Sequence, residues 1–182
     1  MDPIPLRDAL STRRAALVDE WFAETLKTYP AETSRFFGTE ADRFRNPAGH
    51  ALRENLAALF DAVMLSDDWD QAARALGELV QLRAVQDFTE AEAIGFIEPL
   101  KGILRQATTG LKPCSTAQGH VARDFSPAFP NDLLSLLDAR VDRLMLLAAD
   151  LYEKCRARMA GIRVNEAKRR TWLLDRVHRR QV

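Results

Sequence analysis

NDLLSLLDARVDRLMLLAADLYEKC, residues 131–155, places Leu133, Leu137, Val141, Leu144, Ala148, Leu151 and Cys155 three or four positions apart. On a helix of about 3.6 residues per turn those positions fall on one stripe. The near-heptad step suits packing along a helix or across a dimer. Asn131 and Asp132 are side chains that open helices. Beyond this stretch Gly161 is expected to interrupt the helix. Trp172, Leu173, Leu174 and Val177 then form a second short apolar stripe among arginines.

The same period runs through the rest of the chain. Leu6, Leu10, Leu17, Val18, Trp21, Phe22 and Leu26 predict a helix over 4–29, stopped by Pro30. Residues 31–45 read as a loop or short helical turn whose Phe36, Phe37 and Phe44 plug the domain. Asn46-Pro47 is a start signal, a capping side chain ahead of a proline at the first helical position, where no donor is missed. A second helix follows with Leu52, Leu56, Leu59, Phe60 and Val63 on one face. Asp67 and Asp68 open a third helix, ending near Asp87. Thr89 with Glu92 has capping-box spacing for a fourth, carried to Gly110 and kinked at Pro99. Pro113, Gly119, Pro127 and Pro130 punctuate a polar stretch that reads as a linker. No run alternates with period two. The pattern is all-α: a helical domain over 1–110, a linker over 111–130, and a long C-terminal helical segment over 131–182.

The 182 residues carry 26 basic and 26 acidic side chains, so no global basic field invites nucleic acid. From Glu153 onward ten basic residues face three acidic ones, a surplus of +7 that leaves −7 on the remainder. A basic tail on an acidic body suits an acidic partner, or the body of a second copy. Two cysteines, Cys114 and Cys155, far apart and outside any CxxC frame, suit a reduced cytoplasmic setting. The first ten residues lack the apolar core of a signal peptide, and no apolar run approaches the ~20 residues of a membrane span.

Catalytic chemistry has little to stand on. His50, His120 and His178 miss the position expected of a haem ligand, on an apolar face of a mid-domain helix. His50 with Glu54 makes two ligands at most, short of a zinc set. Ser34, Ser66, Ser115, Ser126 and Ser135 sit in no GxSxG frame, and no glycine-rich phosphate loop occurs. No catalytic residue, metal site or cofactor is expected. Two pairs at i,i+4 spacing remain. Arg83 with Asp87 reads as an exposed helix pair worth a few tenths of a kcal/mol, about 0.3. Lys101 with Arg105 makes a cationic ridge, whose mutual repulsion calls for nearby carboxylates or an acidic ligand.

Five segments, in order, resemble a known family. They are Glu20-Trp21, Thr28-Tyr29-Pro30, Asp42-Arg43-Phe44-Arg45-Asn46-Pro47 with Gly49, Arg83-Ala84-Val85-Gln86-Asp87-Phe88, and Pro99-Leu100-Lys101 with Arg105. Together they are similar to the N-terminal domain of RsbR-type stressosome co-antagonists, the RsbRD N-terminal family. The resemblance implies a globin-like or related helical sensor that binds no haem and passes a signal toward a kinase. It singles out Asp42, Asn46, Arg83, Asp87, Lys101 and Arg105 as motif polar residues. In that family the domain precedes a sulfate-transporter/anti-sigma-antagonist domain, whose β/α pattern these 182 residues lack; a free-standing module is the expectation.

The expected function is non-enzymatic regulation through protein contact, in a cytoplasmic homodimer that engages neither nucleic acid nor membrane. Leu137, Val141, Leu144, Leu151, Trp172 and Leu173 are the expected partner-facing positions. The alternative is a carrier or sensor of a small apolar ligand, with haem less expected, in a pocket lined by Trp21, Phe60, Phe96 and Leu100.

Overall fold

In the computed structural model, which describes residues 4–40, 42–86, 88–108 and 129–178, every regular element is helical. Seven α-helices follow in order: α1 Ile4–Leu26, α2 Ala31–Thr39, α3 Pro47–Phe60, α4 Trp69–Val85, α5 Glu90–Ile94, α6 Pro99–Thr108 and α7 Phe129–His178. A π-helical turn, Asp61–Ser66, prolongs α3, and a 3-10 turn, Gly95–Ile97, joins α5 to α6. The all-α reading is correct.

Local chemistry sets most boundaries. Asn46 caps α3 by accepting from the Gly49 N–H at 2.9 Å, ahead of Pro47. Asp68 caps α4 by accepting from the Asp70 and Gln71 N–H groups. Thr89 and Glu92 form the capping box of α5. The single kinked helix expected over 89–110 is instead two helices. Pro99 stands at the first position of α6, where its missing N–H costs nothing, so the chain breaks there rather than bending through. Residues 31–39 form a true helix, and two of the expected plugs are outside: Phe44 is 95% exposed and Phe36 45%, leaving Phe37 to pack on the core. Gly161 does not interrupt α7, which runs unbroken for 50 residues and begins before Asn131. A glycine inside a helix costs about 1 kcal/mol, too little to end one this long.

The core lies between α1, α3, α4 and α6, with the first half of α7 laid across it. Leu10, Leu17 and Trp21 of α1, Leu52, Leu56 and Leu59 of α3, and Leu76, Leu79 and Val80 of α4 are all buried. From α7, Leu137, Val141, Leu144, Ala148 and Tyr152 complete it, each at most 6% exposed. Leu137, Val141 and Leu144, expected to face a partner, are thus spent within the chain, and Leu151 is half-buried beside them. The Leu133 and Leu173 side chains lie outside the description.

Candidate functional site

The motif residues named by the sequence assemble around two junctions, the second of which reaches α7. The first is a turn. Asp42 accepts from the Phe44 N–H at 2.8 Å through Oδ1, while its carbonyl takes the Arg45 and Asn46 N–H groups. That places Asn46 with both ends of its amide in use. Oδ1 caps α3, and the Nδ2 amine donates to the Phe36, Phe37 and Glu40 carbonyls at 3.1–3.4 Å. One 1%-exposed side chain therefore satisfies an orphan donor of α3 and supplies a donor to the carbonyls at the end of α2. Gly49 is required beneath it, since a Cβ there would lie 2.4–2.8 Å from the Asn46 amide.

The second junction is built on Arg83, in the last turn of α4. The expected exposed helix pair is not what forms, because Arg83 is 0% exposed; Asp87 lies outside the described residues. The guanidinium carbon lies 4.8 Å from the Tyr29 ring centre, 4.8 Å from Phe88 and 5.0 Å from Phe96, a cage of three aromatic faces. Its Nη2 donates to the Thr28 hydroxyl, which itself donates to the Thr25 carbonyl. The Nε and Nη1 of Arg83 and the Tyr29 hydroxyl are buried with no hydrogen-bond partner among the described residues. Burial pulls the guanidinium below its ordinary pKa, against the opposing pull of Tyr29 and then Glu92. Burial likewise pushes the Tyr29 phenol up, with Arg83 opposing. Cation–π attraction offsets part of the desolvation cost, which for a buried charge is several kcal/mol, on the order of 3–5.

The second junction connects to α7, and α6 and the π turn add further ties to it. The Phe88 carbonyl beside the cage accepts from the Tyr152 hydroxyl at 2.7 Å. Lys101 and Arg105, the cationic ridge of α6, meet Asp142 at 2.5 Å and Asp138 at 2.7 Å, two carboxylates one helical turn apart on α7. The ridge therefore has the carboxylates that its spacing called for. Arg140, 8% exposed, donates to the Val63 carbonyl in the π turn at 2.9 Å. Arg143 stacks at 3.9 Å over Trp69, whose indole N–H donates to Asp67. Asp67 holds φ at 55°, the left-handed position that ends the π turn.

Trp21, Phe60, Phe96 and Leu100 are all fully buried in the common core. Trp21 stacks on Phe96 with ring centres 6.2 Å apart, and its N–H is satisfied by the Phe96 carbonyl at 2.7 Å. Trp172 is 54% exposed, far along α7. Sequence reasoning passed over Tyr152 and Arg140. Arg140 left a signal, a charge one turn from Leu137 and Leu144 on an otherwise apolar stripe. Tyr152 left none beyond standing four residues after Ala148. Among the described residues no three His, Cys, Asp or Glu side chains gather as metal ligands. Phe88 is thus shared between the buried cation, through its ring, and the long helix, through its carbonyl.

A family model, the RsbT co-antagonist protein rsbRD N-terminal domain, matches residues 15–167. The chain belongs to the RsbRD N-terminal family. The match takes in both junctions and reaches well into α7, so this helix is part of the family domain. Curated proteins and solved structures give no significant match. Membership of the RsbRD N-terminal family points to a regulatory, sensing role of the stressosome type. No described helix is long and apolar enough to cross a membrane.

Proposed function

We propose that the chain is a non-enzymatic, cytoplasmic regulatory module that acts by contacting another protein through α7 and works as a homodimer. The observation that carries this is the division of α7. Its first half is fixed to the bundle by the Tyr152, Arg140, Asp138 and Asp142 contacts. Its continuation is exposed on every side over residues 160–172. An isolated helix of that length is marginal in water, so a helix held clear of the body is one offered to a partner. Trp172, exposed among Lys168, Arg169 and Arg170, has the character of an anchor residue at a protein interface. The buried Arg83 is the position at which a stimulus can alter the seating of α7, because its cage residue Phe88 hands its carbonyl to Tyr152. The test is capture from native lysate on the purified chain and on Trp172→Glu. A discrete protein retained by the first and lost by the second is the expected result. Equal retention by both, or none by either, rejects the reading.

A further inference from the structure

Arg83 carries a positive charge that no described residue neutralises. Its side chain is fully buried, and its one hydrogen bond runs from Nη2 to the Thr28 hydroxyl. Nε and Nη1 have no acceptor among the described residues, and the Tyr29 hydroxyl, on a residue only 7% exposed, has no partner there either. Glu92, whose charge reaches Arg83, has its carboxylate committed to Thr89 in the capping box. Buried donors without acceptors are rare in folded proteins, and a charged one is the costliest kind. The aromatic faces return only part of that cost. Their centres stand 4.8, 4.8 and 5.0 Å from the guanidinium carbon, whereas Arg143 closes to 3.9 Å over Trp69 and Arg53 to 4.1 Å over Phe22. The cage around Arg83 is therefore wider than the simple stacks of the same chain.

The chemistry of these groups decides what they bind. A guanidinium has donors and no lone pair, so it takes acceptors alone, and the phenol adds a hydroxyl that can donate to the same acceptor. A carboxylate brings two acceptor oxygens and the single negative charge that the single cation lacks. Phosphate is more highly charged and more strongly hydrated, which one cation among aromatic rings does not offset. The rings suit an apolar remainder. We infer that Arg83 and Tyr29 form a receptor for the carboxylate of a small apolar acid, with Phe88 as the side chain that moves to admit it. The guanidinium lies one side chain below the surface, since Nη2 bonds the hydroxyl of Thr28, an exposed residue, and Phe88 is half-buried. The Phe88 ring faces the cation while its carbonyl accepts from Tyr152, so displacing the ring is felt at α7 through the same residue. The inference rests on the regulatory reading for its consequence and adds the chemical class of the stimulus.

NMR spectra of the arginine Nε–H groups in the purified chain test it, with the Arg83 signal identified by its loss in Arg83→Met. Sodium benzoate, at constant ionic strength, should shift that signal saturably in the millimolar range, and the Phe88 and Tyr152 amides with it. Acetate should do so more weakly, having less apolar surface to bury. Chloride and inorganic phosphate should leave all three signals in place. Tyr29→Phe deletes an unpartnered hydroxyl and so keeps the fold, and should weaken benzoate binding roughly fivefold, the worth of one hydrogen bond. In Arg83→Met the two amides should no longer respond. No shift with either carboxylate, or an equal shift with chloride or phosphate, overturns the proposal. So does a benzoate affinity that Tyr29→Phe leaves unchanged. A response that appears only in Asp87→Asn also overturns it, by making the chain's own acid the acceptor. Carboxylate binding with no protein captured from lysate would keep the receptor and reject the regulatory reading; capture without carboxylate binding would do the reverse.

Discussion

Arg83 is held where a guanidinium is costly to hold. Three aromatic faces and one hydroxyl surround it, and two of its nitrogens have no acceptor among the described residues. Replacing a buried ion by an apolar side chain of similar volume is commonly neutral or stabilising by roughly 1–4 kcal/mol. Arg83→Met should therefore leave the unfolding free energy from urea titration unchanged or raised by roughly 1–4 kcal/mol, while disturbing whatever output depends on the cage. A lowered midpoint would show the charge to be structural. Asn46 is the opposite kind of residue, with every polar atom committed. Asn46→Ala removes the cap of α3 and takes a donor from the Phe36, Phe37 and Glu40 carbonyls, and should cost on the order of 2 kcal/mol in the same titration. Gly49→Ala, which drives a Cβ into that amide, should approach the same cost with Asn46 still present. The capping role of Asn46 was legible from Asn-Pro alone. Its grip on α2 was not, because a contact to the Phe36 and Phe37 carbonyls depends on how the chain folds back through residues 40–46.

Helix period and capping side chains were enough to show α1, α3 and α4 nearly in full, since each buries a stripe at three- and four-residue steps. They were not enough for the segment around Pro99. There the same periodicity passes through α5, a 3-10 turn and α6, because all three present Ala93, Phe96, Leu100 and Ile103 to one core. The stripe of α7 was equally visible, but a stripe does not say whose core it enters. Leu144→Asp shows the answer: at 0% exposure it puts a charge into the bundle, and should cost more than about 3 kcal/mol and unseat α7 rather than only separate subunits. Near-ultraviolet dichroism should fall with it. The short α5 leans on its capping box, in which the Thr89 hydroxyl donates to Glu92 at 2.7 Å and holds that carboxyl below its usual pKa. A depressed carboxylate stabilises the folded state above the unfolded pKa of about 4.3 and loses that contribution as pH falls through the lower folded value. Glu92→Gln should flatten this acid-side loss in thermal melts taken below about pH 4.5.

At the scale of the molecule the bundle and α7 are coupled at a few named atoms, and this coupling lay beyond what the sequence could show. Lys101 and Arg105 advertised a need for carboxylates, yet nothing local placed Asp138 and Asp142 opposite them across an interval of more than thirty residues. Tyr152 is the sharpest such tie, a single hydroxyl on the Phe88 carbonyl beside the Arg83 cage. Removing one hydrogen bond of this kind costs about 1 kcal/mol, too little to unfold the chain but enough to change local opening roughly fivefold. Tyr152→Phe should therefore speed amide exchange in residues 88–97 and in the adjoining turn of α7. Protection in α3, which shares no contact with this hydroxyl, should be unchanged. Arg83→Met should perturb the same two segments, because it removes the cation from the cage that holds Phe88. If the two variants loosen separate regions, the buried cation and the long helix are not linked through Phe88, and a signal between them must take the α6 carboxylate bridges instead.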